Sequence, residues 1–188
     1  MNALLSPHPA ALVLVDYQQR LMPAIDRSAR VLAEAELLAD VAAVLGVRVL
    51  GTEQNPAGLG PNVAAIRDRC LTTLAKMHFD ACADGLLDLL ERGEGSEGRS
   101  REIVIAGCEA HVCLLQTTLG LLRAGWRVAV VATACGSRRA DDHALAMARL
   151  RGAGAAIVSA EMVVFEWLGG CEHPKFRAAL ALLKALPG

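Results

Sequence analysis

Short, largely apolar runs recur along this chain, and they restrict its fold more than any other feature. They occupy residues 11–15, 47–50, 103–106, 128–132 and 156–159, and residues 70–74 form a further candidate. A strand that is apolar at successive positions, without alternating polar residues, is typical of a parallel sheet covered on both faces. The runs therefore predict a mostly parallel sheet.

Segments with a helix-like spacing of apolar residues lie between these runs. They cover residues 29–45, 86–91, 112–124, 140–151 and 174–186. Ser28 is expected to cap the first of them and Gly46 to end it. Alternating strands and helices favour an α/β fold, namely a three-layer, Rossmann-like, mostly parallel open sheet with helices on both faces.

One stretch of different composition interrupts the alternation. Residues 93–100 are rich in glycine, serine and charged residues, which is typical of a surface loop. Strand and helix signals resume directly after this stretch, so it does not separate two domains. With 188 residues the chain is long enough for a full core, and we predict a single domain over residues 1–188.

Charge and cysteine content exclude several classes of protein. A net charge of −1 provides no positive surface for the phosphates of DNA or RNA. No apolar run reaches the ~20 residues of a membrane span, and residues 1–10 lack the features of a secretory signal. The 6 cysteines do not indicate a disulfide scaffold, because the core is large enough without one. We therefore expect a cytoplasmic protein with reduced thiols that binds neither nucleic acid nor a membrane.

Reactive side chains follow three of the predicted strands. Asp16 comes directly after the first run, Lys76 follows residues 70–74, and Cys113 lies in the turn after residues 103–106. Active sites of open parallel sheets lie beyond the carboxyl ends of the strands, so these side chains are expected to meet. A cysteine at a helix N-terminus beside a lysine is expected to favour the thiolate, and a carboxylate nearby can exchange its proton. Taken singly, the three residues also fit a packed cysteine, a turn-forming aspartate and a solvated lysine.

Several segments, in order along the chain, resemble signatures of the isochorismatase-like cysteine hydrolases. They are LVLVDYQ at residues 12–18, KMHF at 76–79, GCEAHVCLLQTT at 107–118, ATACGSR at 132–138 and EMVVF at 161–165. The similarity spans residues 11–165, and its most specific part is the turn that leads to Cys113. The TEQ sequence at 52–54 is similar to the branch of isochorismatase domain-containing hydrolases.

This resemblance implies a catalytic triad. Asp16 is expected to be the general acid and base, Lys76 its electrostatic partner and Cys113 the nucleophile. The resemblance also implies a cis peptide bond between Cys108 and Glu109, neither of which is proline. The backbone N–H groups of Glu109 and Cys113 are then expected to form an oxyanion hole.

The chain departs from part of this family after the second predicted strand. Nicotinamidase-type members carry an Asp-x-His…His metal site there, whereas residues 51–56 read GTEQNP and contain no histidine. We therefore expect no metal, no cofactor and no nicotinamidase activity. True isochorismatases lack the nucleophilic cysteine, so Cys113 argues against cleavage of a vinyl ether.

Substrate specificity is expected to come from residues around the triad. Leu21 stands where the family often has an aromatic residue, and Ala110 where it often has threonine, so the substrate does not follow from the resemblance. Side chains of these types also serve packing and turns. The candidate pocket residues are Gln18, Leu21, Glu53, Gln54, His78, Phe79 and His111.

The triad and the resemblance together predict a hydrolase. The favoured reaction cleaves a C–N, amide-type bond of a small-molecule substrate through a thioester on Cys113. One alternative is a non-catalytic binding or assembly protein that retains the fold. Another is a thiol redox protein that uses Cys108 and Cys113, although their spacing is not that of a Cys-x-x-Cys motif.

A further apolar stretch, at residues 161–168, predicts contacts between subunits. Val163, Val164, Phe165 and Trp167 together carry more apolar surface than one domain is expected to bury. Members of the resembled family are often oligomeric. We therefore expect a homo-oligomer, either a dimer or a larger assembly.

Overall fold

The centre of the molecule is a sheet of six strands, and the computed structural model describes residues 4–91 and 100–186. The strand order is β3-β2-β1-β4-β5-β6, and every neighbouring pair runs parallel. The strands are β1 (Pro9–Val15), β2 (Val49–Gln54), β3 (Thr72–Lys76), β4 (Ser100–Gly107), β5 (Arg127–Val131) and β6 (Ala156–Val158). The predicted α/β fold is confirmed, and the sheet is parallel throughout.

Helices connect the strands and cover the sheet. They are α1 (Ser28–Leu45), α2 (Pro56–Leu59), α3 (Ala64–Arg67), α4 (Leu86–Glu91), α5 (Leu115–Arg123), α6 (Ala140–Gly152), α7 (Ala160–Leu168) and α8 (Phe176–Lys184). Helix α1 packs against α7 and α8, whereas α5 packs against α6. Right-handed crossovers run from β1 towards one edge and from β4 towards the other, which places these two groups on opposite faces. In the described ranges, no helix is both long and apolar enough to cross a lipid bilayer.

The observed strands follow the apolar runs closely, with one informative difference. Strands β1, β4 and β5 coincide with the predicted runs to within a few residues. The run predicted at 47–50 is displaced, because β2 begins at Val49 and continues through the polar residues to Gln54. The candidate at 70–74 becomes β3, of which Lys76 is the last residue. The residues that follow these two apolar runs in the sequence are therefore part of strands β2 and β3.

Helix starts differ more from prediction than helix ends. Ser28 does not cap α1, since it is the first helical residue and Arg27, in the left-handed region with φ 52°, precedes it. Gly46 ends the helix as predicted, with φ 73°. The helix predicted at 112–124 begins as a π-helical turn at Ala110–Leu114, and α5 follows it. Such turns are frequent at functional sites.

The apolar stretch that suggested subunit contacts forms α7, a helix that the sequence did not predict. Val163, Val164 and Trp167 of this helix are buried within the chain, and Met162 and Phe165 are exposed. The expected excess of apolar surface is thus reduced to two side chains of this helix.

Two further predictions concern the ends of segments. The predicted surface loop at residues 93–100 lies outside the described residues, except that Ser100 is already the first residue of β4. The last helix begins at Phe176 rather than at residue 174, because turns precede it.

The change of direction between β1 and β4 prepares a crevice. From β1 the chain builds outward to β2 and β3, and from β4 it builds outward to β5 and β6. Open parallel sheets place their binding sites beyond the strand ends at such a switch point. At this point β4 approaches β1 so closely that a Cβ on Gly107 would lie 2.4 Å from the carbonyl oxygen of Val15. Glycine is therefore required here by the packing of two buried strands.

Addition of one methyl group at Gly107 tests this close approach. In Gly107→Ala the new Cβ would lie 2.4 Å from the carbonyl oxygen and 2.5 Å from the Cβ of Val15. Because the backbone of two buried strands must move, we expect the free energy of unfolding to fall by about 2 kcal/mol or more. Urea unfolding followed by circular dichroism measures the change.

Gly152→Ala is the matched control for this substitution. Gly152 is the last residue of α6, and a Cβ there would have no atom within 4 Å. We expect the stability of this variant to stay within about 0.5 kcal/mol of the parent protein or to rise slightly. Equal unfolding midpoints for the two variants would contradict the argument from close approach.

Candidate active site

The three residues of the predicted triad lie together at the carboxyl edge of the sheet. Asp16 directly follows β1, Lys76 ends β3, and Cys113 lies in the π-helical turn after β4. The Nζ atom of Lys76 lies 2.8 Å from Oδ2 of Asp16, and both side chains are fully buried. The thiol of Cys113 is also buried and interacts with both charges. A carboxylate, an ammonium and a thiol thus share one enclosed space.

The two oxygens of the Asp16 carboxylate have different neighbours. The hydroxyl of Thr52 donates a hydrogen bond of 2.6 Å to Oδ1. Oδ2 accepts no aligned hydrogen bond from the described residues, although the Lys76 ammonium lies beside it at 2.8 Å. Asp16 itself adopts φ 56°, a left-handed conformation that is uncommon outside glycine and concentrates at functional sites. Asp16 directly follows the last residue of β1.

The ammonium of Lys76 has a full set of acceptors. In addition to Asp16, its Nζ donates to Oε1 of Gln54 at 2.7 Å and lies 3.4 Å from the carbonyl oxygens of both His78 and Phe79. A buried charge is tolerated only when it is paired and hydrogen-bonded, and both conditions are met here. Lys76 is therefore a structural part of the site and not a solvated surface lysine.

Alternation along β2 explains which of its polar residues reach the site. Thr52 and Gln54 are two residues apart and point to the same side of the strand, towards Asp16 and Lys76 respectively. Glu53 lies between them, and its carboxylate accepts a hydrogen bond from the backbone N–H of Asn62 at 2.8 Å. Glu53 was predicted to line the pocket, but its side chain braces a neighbouring loop. Sequence reasoning did not identify Thr52 as a partner of Asp16, although strand alternation would have found it.

Gln18 also braces the chain near the site. Its Nε2 donates to the carbonyl oxygens of Gln54 and Gly60, at 3.0 Å and 2.6 Å, and its Oε1 accepts from the N–H of Gln54 at 2.9 Å. Gln18 is fully buried, and its amide is hydrogen-bonded to the backbone of two neighbouring segments. Leu21, another predicted pocket residue, is partly buried against the core.

The loop after β3 forms a border of the site. His78 and Phe79 have exposed side chains, while their carbonyl oxygens approach Lys76. Asp84 fixes this loop, because its carboxylate accepts hydrogen bonds from the N–H groups of Met77 and His78 and pairs with Nδ1 of His78 at 2.8 Å. These hydrogen bonds lower the pKa of Asp84 to about 2. The two predicted pocket residues therefore project from a well-anchored loop.

Hydrogen bonds to the segment after β5 fix the turn that carries Cys113. The peptide bond between Cys108 and Glu109 is cis, as the resemblance implies. The N–H of Ala110 donates to the carbonyl oxygen of Gly136 at 2.7 Å. The carboxylate of Glu109 accepts from both the backbone N–H and Nε of Arg138, at 3.1 Å and 2.9 Å. The Glu109 side chain therefore anchors the turn to the segment after β5.

His111 takes part in the same anchoring. Its Nδ1 lies 3.0 Å from the hydroxyl of Ser137, which is buried. This ring nitrogen is thus engaged with the segment after β5. The contact indicates that His111 supports the turn.

The surroundings of Cys113 disfavour ionisation of its thiol. Burial, followed by the negative charge of Asp16, raises the pKa of this thiol to about 12, and the ammonium of Lys76 acts in the opposite direction. The sequence led us to expect a thiolate favoured by a helix N-terminus. Enclosure of the thiol outweighs that effect, because desolvation penalises the charged form. Cys113 therefore needs a base to accept its proton when it reacts.

The remaining cysteines differ from Cys113 in their surroundings. All six cysteines are free thiols. Burial raises the pKa of Cys70 to about 11 and that of Cys82 and Cys135 to about 12, and it raises the pKa of Cys108 well above its usual range. Cys171 is exposed. Cys82 also lies near a carboxylate and a cation, Asp80 and Arg123, but Arg123 is largely exposed, whereas the Asp16–Lys76 pair beside Cys113 is fully buried.

The site does not have the ligands of a metal centre. In residues 4–91 and 100–186, no group of three or more His, Cys, Asp or Glu side chains is placed to hold a metal ion. The positive charge beside Asp16 is the ammonium of Lys76. The arrangement suits proton exchange between a carboxylate and a thiol next to a fixed cation.

Comparison with known proteins identifies a family. The model of the isochorismatase domain matches residues 10–162. Human isochorismatase domain-containing protein 2 is 34% identical over 178 residues, which cover 95% of this chain and 84% of the human protein. Zebrafish isochorismatase domain-containing protein 1 is 33% identical over 181 residues, covering 96% of this chain and 62% of that protein.

Solved structures share the fold over nearly the whole chain. The MAR1 ribonuclease of Caenorhabditis elegans has a TM-score of 0.89 and 31% identity, and the match covers 99% of this chain and 95% of that one. The YcaC gene product of Escherichia coli, described as an octameric hydrolase of unknown specificity, has a TM-score of 0.83 and 20% identity, covering 100% of this chain and 99% of that one. The second match shows likeness of fold alone.

Two single substitutions should move the reactivity of Cys113 in opposite directions. Asp16→Asn removes the negative charge that raises the pKa of the thiol, and Lys76→Met removes the charge that lowers it. One unit of pKa changes the thiolate fraction about tenfold, so at pH ~8 we expect iodoacetamide to alkylate Cys113 about tenfold faster or more in Asp16→Asn and correspondingly more slowly in Lys76→Met. Peptide mass spectrometry over time measures the rates.

The exposed Cys171 provides an internal reference in each sample. Its alkylation rate should be the same in all three proteins, which separates an electrostatic effect from general loosening of the fold. Rates at Cys113 that shift in the same direction in both variants, or in neither, would refute the electrostatic assignment.

Proposed function

Because the chain belongs to the isochorismatase domain family, we propose that it is a hydrolase that cleaves a C–N, amide-type bond of a small metabolite through a thioester on Cys113. The proposal rests on one observation above all, the enclosed contact of Asp16, Lys76 and Cys113. A buried ion pair next to a protonated thiol has no evident role in stability, since apolar residues of similar volume are often as stabilising. It suits a nucleophile that must be deprotonated on demand.

Acylation begins with the protonated thiol. The Sγ atom of Cys113 bonds to the carbonyl carbon of the substrate while its proton passes to Asp16, where Oδ2 is the oxygen that Thr52 does not hold. The C–N bond of the tetrahedral intermediate then breaks, and the amine leaves with the proton from Asp16. A thioester on Cys113 remains.

Water completes the cycle by the reverse sequence of proton transfers. A water molecule attacks the thioester and gives its proton to Asp16. The C–S bond breaks, the acid product leaves, and the thiol is restored with the proton that Asp16 held. Asp16 thus serves as base and acid twice in each turnover.

Two further groups stabilise the negative charge in this scheme. Lys76 remains cationic and offsets the charge on whichever partner, carboxylate or sulfur, is ionised. The backbone N–H groups of Glu109 and Cys113 receive the oxyanion of each tetrahedral intermediate. The anchoring of the turn by Arg138 and Gly136 supports this role, because oxyanion donors act best when they are fixed in advance.

The enclosure of the site favours a small substrate. Cys113 is 6% exposed and Lys76 is 2% exposed. The exposed side chains of Met77, His78 and Phe79 lie on the bordering loop. We therefore propose that this loop selects the substrate and that the substrate carries a compact acyl group.

Two other functions compete with this proposal. A binding or assembly protein would retain the fold without turnover. The exposed apolar residues Met162 and Phe165 fit subunit contacts both in such a protein and in an oligomeric hydrolase. The C. elegans protein is named a ribonuclease. For this chain the net charge of −1 offers no extended positive surface for a phosphate backbone, so amide hydrolysis is the better-supported activity.

An acyl-enzyme intermediate provides the most direct test. Incubation with p-nitrophenyl acetate, followed by an acid quench and peptide mass spectrometry, should show one acetyl group on Cys113 in the parent protein. Cys113→Ala should show none. Asp16→Asn should accumulate the acetyl group and release it at least tenfold more slowly, because its thiol ionises more easily while water has lost its base.

Cys171→Ala is the matched control, since it removes an exposed thiol away from the triad. It should acetylate and turn over like the parent protein. The same samples should then be offered a panel of small primary amides and a short RNA. Turnover of any of these compounds at the same rate in Cys113→Ala would rule out the thioester route. Cleavage of the RNA that requires Cys113 would show that the bond cleaved is a phosphodiester and not an amide.

A further inference from the structure

We propose that Gln54 is a positioning residue, which holds the ammonium of Lys76 at one fixed point between Asp16 and Cys113 throughout the reaction. The inference rests on the proposed function for its catalytic meaning. The arrangement of charges that it describes stands on the geometry alone. It assigns Gln54 a different role from the pocket residue that the sequence suggested.

The amide of Gln54 faces both reactive groups with a single oxygen atom. Its Oε1 accepts a hydrogen bond of 2.7 Å from Nζ of Lys76 and lies 4.0 Å from Sγ of Cys113. Its Nε2 donates to the carbonyl oxygen of Met77 at 2.8 Å. Because a carbonyl oxygen can only accept, this last bond fixes which end of the amide points towards Lys76.

The backbone of Gln54 is held as firmly as its side chain. Its N–H donates to Oε1 of Gln18 and its carbonyl oxygen accepts from Nε2 of Gln18, at 2.9 Å and 3.0 Å. The next residue, Asn55, donates its N–H to the carbonyl oxygen of Lys76 at 2.8 Å. Gln54 is buried, with 8% of its surface exposed. Because both its backbone and its side-chain amide are hydrogen-bonded, Gln54 can hold the flexible side chain of Lys76 in one position.

A neutral amide is the group that this position requires. Lys76 carries one positive charge, and Asp16 supplies the one matching negative charge. A carboxylate at position 54 would add a second negative charge near the thiol and would have no N–H to give to Met77. An aliphatic side chain would remove the amide oxygen that accepts from Nζ of Lys76. The ammonium would then keep only the Asp16 carboxylate and two backbone carbonyl oxygens.

Gln54 has a constant role while the charge around Lys76 moves. Before the proton transfer, the ammonium faces an ionised Oδ2 on Asp16. After it, Asp16 is neutral and the negative charge lies on Sγ of Cys113. The hydrogen bond from Nζ to Gln54 is the contact that need not change, so the ammonium can serve both anions without leaving its place.

Two variants of Gln54 separate the effect of an added charge from the effect of releasing the Lys76 ammonium. In Gln54→Glu the added negative charge should shift the pH profile of Cys113 alkylation by iodoacetamide upward, with a rate at least tenfold lower at pH ~8. In Gln54→Met, which adds no charge, the alkylation profile should move by less than threefold. Release of p-nitrophenol from p-nitrophenyl acetate should nevertheless fall at least tenfold in kcat with little change in KM, because the ammonium is no longer fixed.

Glu53→Gln is the matched control, because it changes one charge at the adjacent position on the opposite side of β2. Both its alkylation profile and its kcat should equal those of the parent protein. A Gln54→Glu profile that superimposes on the parent profile would overturn the proposal, and so would an unchanged kcat in Gln54→Met. The second variant decides the question if Gln54→Glu does not fold.

The outcome also distinguishes this inference from the proposed function. If the parent protein forms no acyl-enzyme but Gln54→Glu shifts the alkylation profile, the charge arrangement stands and the hydrolase proposal fails. If the parent protein turns over and both Gln54 variants behave like it, the hydrolase stands and Gln54 is not a positioning residue.

Discussion

A fully buried ion pair between two strands that are not neighbours governs this structure. Asp16 follows β1 and Lys76 ends β3, and β2 lies between them. Adjacent strands are about 4.8 Å apart, so the lysine side chain must reach across a whole strand to meet the carboxylate. The strand that it crosses therefore supplies the groups that satisfy the pair. Thr52 binds the carboxylate and Gln54 binds the ammonium, from alternate positions on one side of β2.

The switch point brings the thiol to this pair. β1 and β4 are adjacent although they are far apart in the sequence, and Gly107 permits their close approach. The turn after β4 then passes directly over the end of β1, where Asp16 lies. Enclosure by these elements raises the pKa of Cys113 to about 12 instead of lowering it. The same packing that assembles the site thus disfavours ionisation of the Cys113 thiol.

The sequence predicted much of this arrangement, and its failures have physical causes. Continuous apolar runs identified the buried strands, and their polar ends identified Asp16 and Lys76. The sequence did not separate the roles of Glu53 and Gln54, because these depend on which side of β2 each residue faces, and the role of Gln18 depends on its hydrogen bonds to that strand. The raised pKa of Cys113 does not follow from the sequence, because local motifs indicate a helix N-terminus but not how completely the surrounding chain excludes water. Helix α7 was missed because its apolar surface was assigned to subunit contacts.

Electrical neutrality is the condition that connects the fold to the proposed chemistry. The enclosed site contains one carboxylate, one ammonium and one neutral thiol, and its net charge is zero. Transfer of the thiol proton to Asp16 moves the negative charge to sulfur and leaves that sum unchanged. A buried site can permit such a step, because no unpaired charge is created in a region from which water is excluded. A substrate whose reacting group is uncharged preserves this balance, whereas a charged one would disturb it, and this argues for an amide carbonyl as the group that Cys113 attacks.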